Sequence, residues 1–289
     1  MSEYRSVLVH VSDSARSREV LACATRLSVA FGARLRAVHA VEPLHVGAYL
    51  SPETATIAAQ LSEDTERERV ARARDLVDEA DRAGGVRIAF ESPGTDPIEA
   101  MITRSRAADL VLLGQPSDDD AEGPSRRFVA RLLVGAGCPL LVIPSTGTFT
   151  HCGTRVLVGW SPARECARAL RDALPLLKRA AAVEVLRLGG PTPDSVEPLN
   201  AVAEHLRAHG VSATCSAQPV REISFGERLL TPTVVDASVA ELLLSRAADM
   251  EADLIVIGGY GHTRAFELVL GGVTRTLLTS MTVPVLMSH

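Results

Sequence analysis

Two tandem α/β domains, each a doubly wound, parallel five-stranded sheet, are the fold class this sequence predicts, and three observations predict it. The chain has 289 residues, about twice the usual domain length of roughly 100–200 residues. Short, uniformly apolar runs alternate with longer segments of helical period, which is how strands covered on both faces by crossover helices read. The sequence also repeats itself. Ala108-Asp-Leu-Val-Leu-Leu-Gly114 resembles Ala252-Asp-Leu-Ile-Val-Ile-Gly258, and the closing run Cys138-Pro-Leu-Leu-Val-Ile143 resembles Val283-Pro-Val-Leu-Met287 at nearly the same offset. The openings Arg5-Ser-Val-Leu-Val-His-Val11 and Arg155-Val-Leu-Val-Gly-Trp160 match as well.

In the first half the spacing predicts strands near 5–11, 35–41, 86–91, 109–113 and 140–143, with helices near 14–31, 52–83, 96–106 and 126–135. Asp13 and Ser14 read as N-caps of the first helix, and Gly32 stands where it should stop. Residues from Thr54 to Arg82, including Glu63, Asp64, Glu66, Arg67, Glu68 and Arg69, read as a solvated helical face by default, with a partner surface as the alternative. Ser145 to Gly153, rich in Gly, Ser and Thr and without apolar periodicity, reads as a linker, so the domains are expected over 1–146 and 154–289. In the second half strands are expected near 155–160, 182–187, 211–216, 253–257 and 284–287. Its helices are expected near 163–179, 197–208, 235–249 and 272–280, with Gly210 as a stop.

A composition of 46% hydrophobic and 22% charged residues excludes disordered, collagen-like and disulfide-scaffold classes. The net charge is −5 and the basic residues are scattered, so nucleic acid is not an expected partner. The longest nearly apolar run, Leu132 to Pro144, is broken by Gly135, Gly137 and Pro139 and falls short of the roughly 20 residues that span a membrane. The opening MSEYRSVLVHVSDS has neither a basic leader nor a long apolar stretch, and a cytoplasmic location is expected. Five cysteines, widely spaced and without a CxxC pair, are expected as free thiols.

In a doubly wound sheet a ligand binds beyond the carboxyl ends of the strands where strand order reverses, which directs attention to the loops after the first and fourth strands of each half. After the fourth strand of the second half, glycines at 258, 261 and 271 let the backbone approach a bulky anion. The helix that begins about Val273 points its free N–H groups at the same place. His262, Thr263 and Arg264 lie inside this loop, where a donor could touch phosphate. Trp160 ends the first strand beside it, placed either to stack on a base or to pack under a helix. His10 and His39 fall on adjacent strands and read as buried, hydrogen-bonded histidines, with no metal site expected. No P-loop, HExxH, G-x-S-x-G or kinase motif is present, and no catalytic residue is assigned.

This arrangement resembles the nucleotide loop of the universal stress protein family, G-x2-G-x9-G-[ST] ahead of the last helix, followed by a P-V-L strand. The resemblance covers the whole chain as two copies, through the openings VLVHV and VLVGW, the repeated ADL segments and the endings CPLLVIP and VPVLMSH. It implies the adenine nucleotide alpha-hydrolase-like fold, with the closing strands 139–143 and 284–287 paired into an intramolecular pseudo-dimer. It also implies a stress-related regulatory module that holds ATP or a related adenine nucleotide, with or without Mg2+, in the second copy. Gly258, Gly261, His262, Gly271, Gly272, Val273, Thr274 and Ser161 are the implied binding residues. Two positions depart from the pattern. Gly272 stands where a hydroxyl residue is expected, with Thr274 nearby as a substitute, and Ser12 and Ser161 stand where the family places an Asp at the end of strand one. The first copy has Arg126 and Arg127 in place of Gly271 and Gly272, and its loop reads Gln115-Pro-Ser-Asp-Asp-Asp-Ala-Glu122. It is expected not to bind phosphate, with the arginines paired to Asp118, Asp119 or Asp120. Expected partners are the nucleotide, an unidentified protein and a second copy of the chain. The competing expectations are a nucleotide-free interaction module of the same fold and a slow ATPase.

Overall fold

Apolar residues at every position of a short run bury both faces of a strand, and this is where the strands form. A computed structural model describes residues 3–14, 16–41, 52–116, 123–188, 193–218, 232–259 and 272–289. The first half runs β1 (Ser6–Val11), α1 (Ser17–Phe31), β2 (Arg34–His39), α2 (Pro52–Gly84), β3 (Ile88–Glu91), α3 (Pro97–Ser105), β4 (Leu110–Gly114), α4 (Arg126–Gly135) and β5 (Leu140–Ile143). The second runs β6 (Arg155–Trp160), α5 (Arg164–Asp172), α6 (Leu174–Leu177), β7 (Ala182–Leu188), α7 (Pro193–Ala208), β8 (Thr214–Gln218), α8 (Pro232–Asp249), β9 (Leu254–Gly258), α9 (Gly272–Ser280) and β10 (Val285–Ser288).

The strands form one ten-stranded sheet in the order β3-β2-β1-β4-β5-β10-β9-β6-β7-β8. Within each half all pairings are parallel; at the centre β5 and β10 pair antiparallel, Val142 opposite Val285 and Leu140 opposite Met287. The expected pairing of the closing strands is therefore present, and the two halves are related as in a pseudo-dimer. Side chains alternate between two core layers that run through both halves. Val7, Val9 and Val11 face α1 and α2, and Val156 and Val158 face α5 and α7 in the same layer. Leu8 faces α3 and α4, and Leu157 faces α8 and α9, in the other. The repeated ADL aspartates anchor the start of each half. Asp109 accepts the backbone N–H groups of Arg5 and Ser6, both at 2.8 Å. Asp253 accepts those of Gly153, Thr154 and Arg155 at 2.9–3.1 Å.

Three departures from the sequence expectation have a visible physical cause, besides the helices α7 and α8, which start three to four residues earlier than expected. The helix expected over 163–179 is two helices, because Pro175 has no N–H to continue the ladder and sits in the first turn of α6 instead. β8 begins at Thr214 rather than near 211. Gly210, at φ +79°, ends α7, and the Val211 N–H turns back to Leu206 O, which keeps that residue in the helix stop. The N-cap of α1 is Arg16, without a side-chain cap. Ser14 and Asp13 do not cap it, because Ser14 is bonded to Ser12 and Asp13 is held by two arginines of α2. Gly32 ends α1 in the left-handed conformation, as its position predicts.

Candidate functional site

β6 lies between β7 and β9. It leads into α5 on one face of the sheet, while β9 leads towards α9 on the other, so a crevice opens at the carboxyl ends of β6 and β9. At the end of β6, Trp160 is half-buried against the α5 layer, and its Nε1 has no hydrogen-bond partner among the described residues. Ser161 is exposed, with Oγ 3.2 Å from Cys166 Sγ. At the end of β9, a Cβ on Gly258 would fall 2.5 Å from Cys166 N and 2.7 Å from the Glu165 carbonyl carbon. Glycine is thus demanded here by the first turn of α5 itself. That turn has Ala163 at its N-cap and no side-chain cap. Gly272 opens α9, followed by half-buried Val273 and by Thr274, which is 4% exposed. Gly261, His262, Thr263, Arg264 and Gly271 lie outside the described residues.

The matching crevice of the first half, at the ends of β1 and β4, is filled by the chain's own polar groups. Ser12 Oγ is 3.1 Å from both Ser14 Oγ and Ser17 Oγ. Asp13, 1% exposed, receives Arg72 Nη2 at 2.7 Å and Arg69 Nε at 3.3 Å. Burial alone would raise the Asp13 pKa, but the Arg72 hydrogen bond and the Arg69 charge outweigh it and hold it below the ordinary carboxylate range. His39 is bonded to Val11 O at 3.1 Å and faces Glu66 Oε1 at 3.4 Å. His10 is bonded to Ala40 O at 2.9 Å and packs on Phe128, and burial lowers its pKa to about 4. Each histidine is thus buried and hydrogen-bonded to a carbonyl. Among the described residues, no group of three His, Cys, Asp or Glu side chains could hold a metal ion.

The charged stretch of α2 was expected to be a solvated face. Glu63, Asp64, Arg67 and Glu68 are exposed, but Arg69 is buried and Glu66 and Arg72 turn towards the strand ends. The signal was available in the spacing. Glu66, Arg69, Ala73, Leu76, Val77 and Ala80 form one helical stripe, and its C-terminal members are core. At the start of α4, Ser125 Oγ accepts the Phe128 N–H at 3.1 Å, and Arg126 and Arg127 occupy the first two helical positions. Their expected partners Asp118, Asp119 and Asp120 lie outside the described residues. Glu165, mostly buried in the first turn of α5 and 3.6 Å from Arg164, is a carboxylate beside the second crevice that sequence reasoning missed.

The model of the Universal stress protein family matches residues 3–144 and again residues 154–289. The chain belongs to the universal stress protein family. Its tandem arrangement recurs in solved structures. A universal stress protein from Archaeoglobus fulgidus DSM 4304 is 15% identical, with 98% of this chain and 95% of that one covered and a TM-score of 0.67. A Pseudomonas aeruginosa UCBPP-PA14 protein assigned to the same family is 16% identical, with 99% and 93% covered and a TM-score of 0.59. Both likenesses concern the fold. An Archaeoglobus fulgidus universal stress protein in complex with dAMP is 17% identical over 49% of this chain and 98% of that one, with a TM-score of 0.31. No curated protein matches. Among the described residues, no helix is long and apolar enough to cross a membrane.

Proposed function

We propose that this tandem universal stress protein is a cytoplasmic, stress-related regulatory module that binds ATP or a related adenine nucleotide in its C-terminal copy, residues 154–289. The N-terminal copy, residues 1–146, is closed to it. The observation that carries this reading is the unequal treatment of two corresponding helix starts. α4 is capped by the Ser125 hydroxyl, which takes the Phe128 N–H, and its first two positions carry the side chains of Arg126 and Arg127. α9 opens at Gly272 after Gly271, and a glycine has no side chain with which to cap a helix. Its first N–H groups therefore remain as donors for phosphate oxygens. In this reading Gly258, Gly261 and Gly271 keep the loop backbone close to the ligand, and Val273 and Gly272 supply N–H donors. His262 and Thr274 add polar contacts, and Ser161 faces the nucleoside side of the crevice beside Trp160. Bound nucleotide, with or without Mg2+, would contact the 258–272 loop and change the surface offered to a protein partner or a second copy.

The variant Gly271→Asp tests this reading. An aspartate there can cap α9 and leaves the fold stable, while its charge repels phosphate. The expected result is an unligated thermal midpoint at or above that of the unmodified chain, with the ATP-induced rise lost. A rise equal to the wild-type one contradicts the proposal. The second reading, a nucleotide-free interaction module, is favoured by one specific observation: packing against α5 fully accounts for Gly258. Mass spectrometry of the denatured purified protein separates the two, since a co-purifying adenine nucleotide excludes the ligand-free form.

A further inference from the structure

The segment joining the two copies is laid along one face of α1. Glu19, Cys23 and Arg26 recur at i, i+4 and i+7 of that helix and so form one stripe. Glu19 Oε1 accepts the Phe149 N–H at 2.8 Å and the Arg26 guanidinium at 3.2 Å. Arg26 also donates to Phe149 O at 2.6 Å, and Arg16 Nη1 donates to Gly147 O at 2.9 Å. Between these fastenings lies Cys23, 1% exposed, and Cys152 of the linker packs against the same core cluster, near enough that each thiol shifts the titration of the other. The next residue, Gly153, has φ +95° and is the first of the three whose N–H groups Asp253 holds at the entry to β6. The thiol pair thus links the first helix of one copy to the first strand of the other.

We propose that Cys23 and Cys152 are a redox modification site, closing to a reversible disulfide when the protein meets a peroxide. Cys23 is the nucleophile. The Cys152 thiol beside it, with the nearby charges of Arg26 and Arg16, lowers its pKa against the opposing effect of burial, while the same pairing and burial raise that of Cys152. Arg16 Nε and Nη2 are buried without a hydrogen-bond partner among the described residues, and the charge of that guanidinium acts on Glu19 first and on Cys23 second. The thiolate attacks one peroxide oxygen, the O–O bond breaks, hydroxide leaves, and Cys23 becomes a sulfenic acid, oxidised by two electrons. Cys152 sulfur then attacks Cys23 sulfur. The S–S bond forms, the S–O bond breaks, and the departing oxygen leaves as water, the Cys152 proton neutralising the hydroxide. In total, two thiols and one hydrogen peroxide give one disulfide and two waters. The disulfide requires the sulfurs to close to about 2.05 Å, and the left-handed Gly153 and Gly147 (φ +93°) flank the linker segment that must shift. The other thiols are placed differently. Cys138 donates to Ser105 O and is pushed up to about 12 by burial, Cys166 faces Ser161, and burial raises Cys215.

The test is to treat the full chain with hydrogen peroxide, quench, denature and titrate thiols. The count is expected to fall from the five present to three, with dithiothreitol restoring five. Unreduced tryptic mapping is expected to show the peptide Glu19–Arg26 joined to Leu132–Arg155. Cys138 lies on the latter peptide, so the Cys138→Ser chain is mapped in parallel and keeps the cross-link. In Cys152→Ser the Cys23 sulfenic acid persists and is trapped by dimedone. Five thiols surviving peroxide overturn the proposal, as does a cross-link that passes through Cys138 or between two chains.

Discussion

A carboxylate with 1% of its side chain exposed, as Asp13 has, keeps its charge because Arg69 and Arg72 meet it. Asp13→Asn removes the carboxylate that Arg69, 6% exposed, pairs with. The variant is expected to lose about 3 kcal/mol of stability in urea denaturation, the cost of breaking a buried pair on one side. Because the folded pKa of Asp13 is lowered, its contribution is present above the ordinary carboxylate value of about 4 and is lost as pH falls through the folded one. His10 works in the same direction at higher pH. Its pKa drops from 6.5 to about 4 on burial, so neutral His10 stabilises the fold fully above pH ~6.5 and progressively less as pH falls towards 4. Going from pH 7 to pH 5 should cost about 2 kcal/mol through this group. His10→Gln, which can still donate to Ala40 O, should show that much less pH dependence; parallel profiles would refute the assignment. Neither histidine's partner could be read from the sequence, because a backbone carbonyl on the neighbouring strand leaves no residue signature. Gly32 and Gly210 could be read, because only a residue tolerant of positive φ ends a helix in that way.

The elements whose limits emerge from the sequence unchanged are those with punctuation at both ends. α4, β5, β6 and α9 occupy the expected ranges, and Ser125, Gly137-Cys138-Pro139, Gly153 or Gly271 stands just outside them. The single helix expected over 163–179 failed because Pro175 is tolerated in a first turn and therefore starts α6 as readily as it interrupts α5. At the strand ends, the glycine motif proved ambiguous in a way only packing shows. Gly258 and Gly114 are equivalent, yet a Cβ at Gly114 would meet only Val20 Cγ2 at 3.7 Å, whereas at Gly258 it strikes α5 backbone at 2.5 Å. Gly258→Ala should therefore cost about 1–3 kcal/mol, and Gly114→Ala less than about 0.5 kcal/mol. Thermal midpoints that shift equally in the two variants would show that α5 yields freely.

Across the whole molecule, duplication was the most legible feature, since two copies of an ADL strand and a closing strand cannot both bury their edges except by meeting. Antiparallel pairing of β5 with β10 does this and makes one sheet of ten strands. What the repeat concealed is how far the copies have diverged around the seam. Gln115 donates to Leu278 O at 2.6 Å and Thr279 O at 3.2 Å, satisfying the end of α9 from the other copy. Its counterpart Gly259 instead makes room for Leu133, which a Cβ would meet at 2.5 Å. The same divergence at the crevices, one filled by Asp13, Arg69 and Arg72 and the other bordered by exposed Ser161 and by a helix that opens on Gly272, is the basis for placing a ligand in the second copy alone. Calorimetric titration of the full chain with ATP, with and without Mg2+, tests that placement most directly. Saturable binding of one nucleotide per chain, unchanged in Asp13→Asn and abolished in Gly271→Asp, is the predicted result; no binding heat at all, or two equivalent sites per chain, would contradict it.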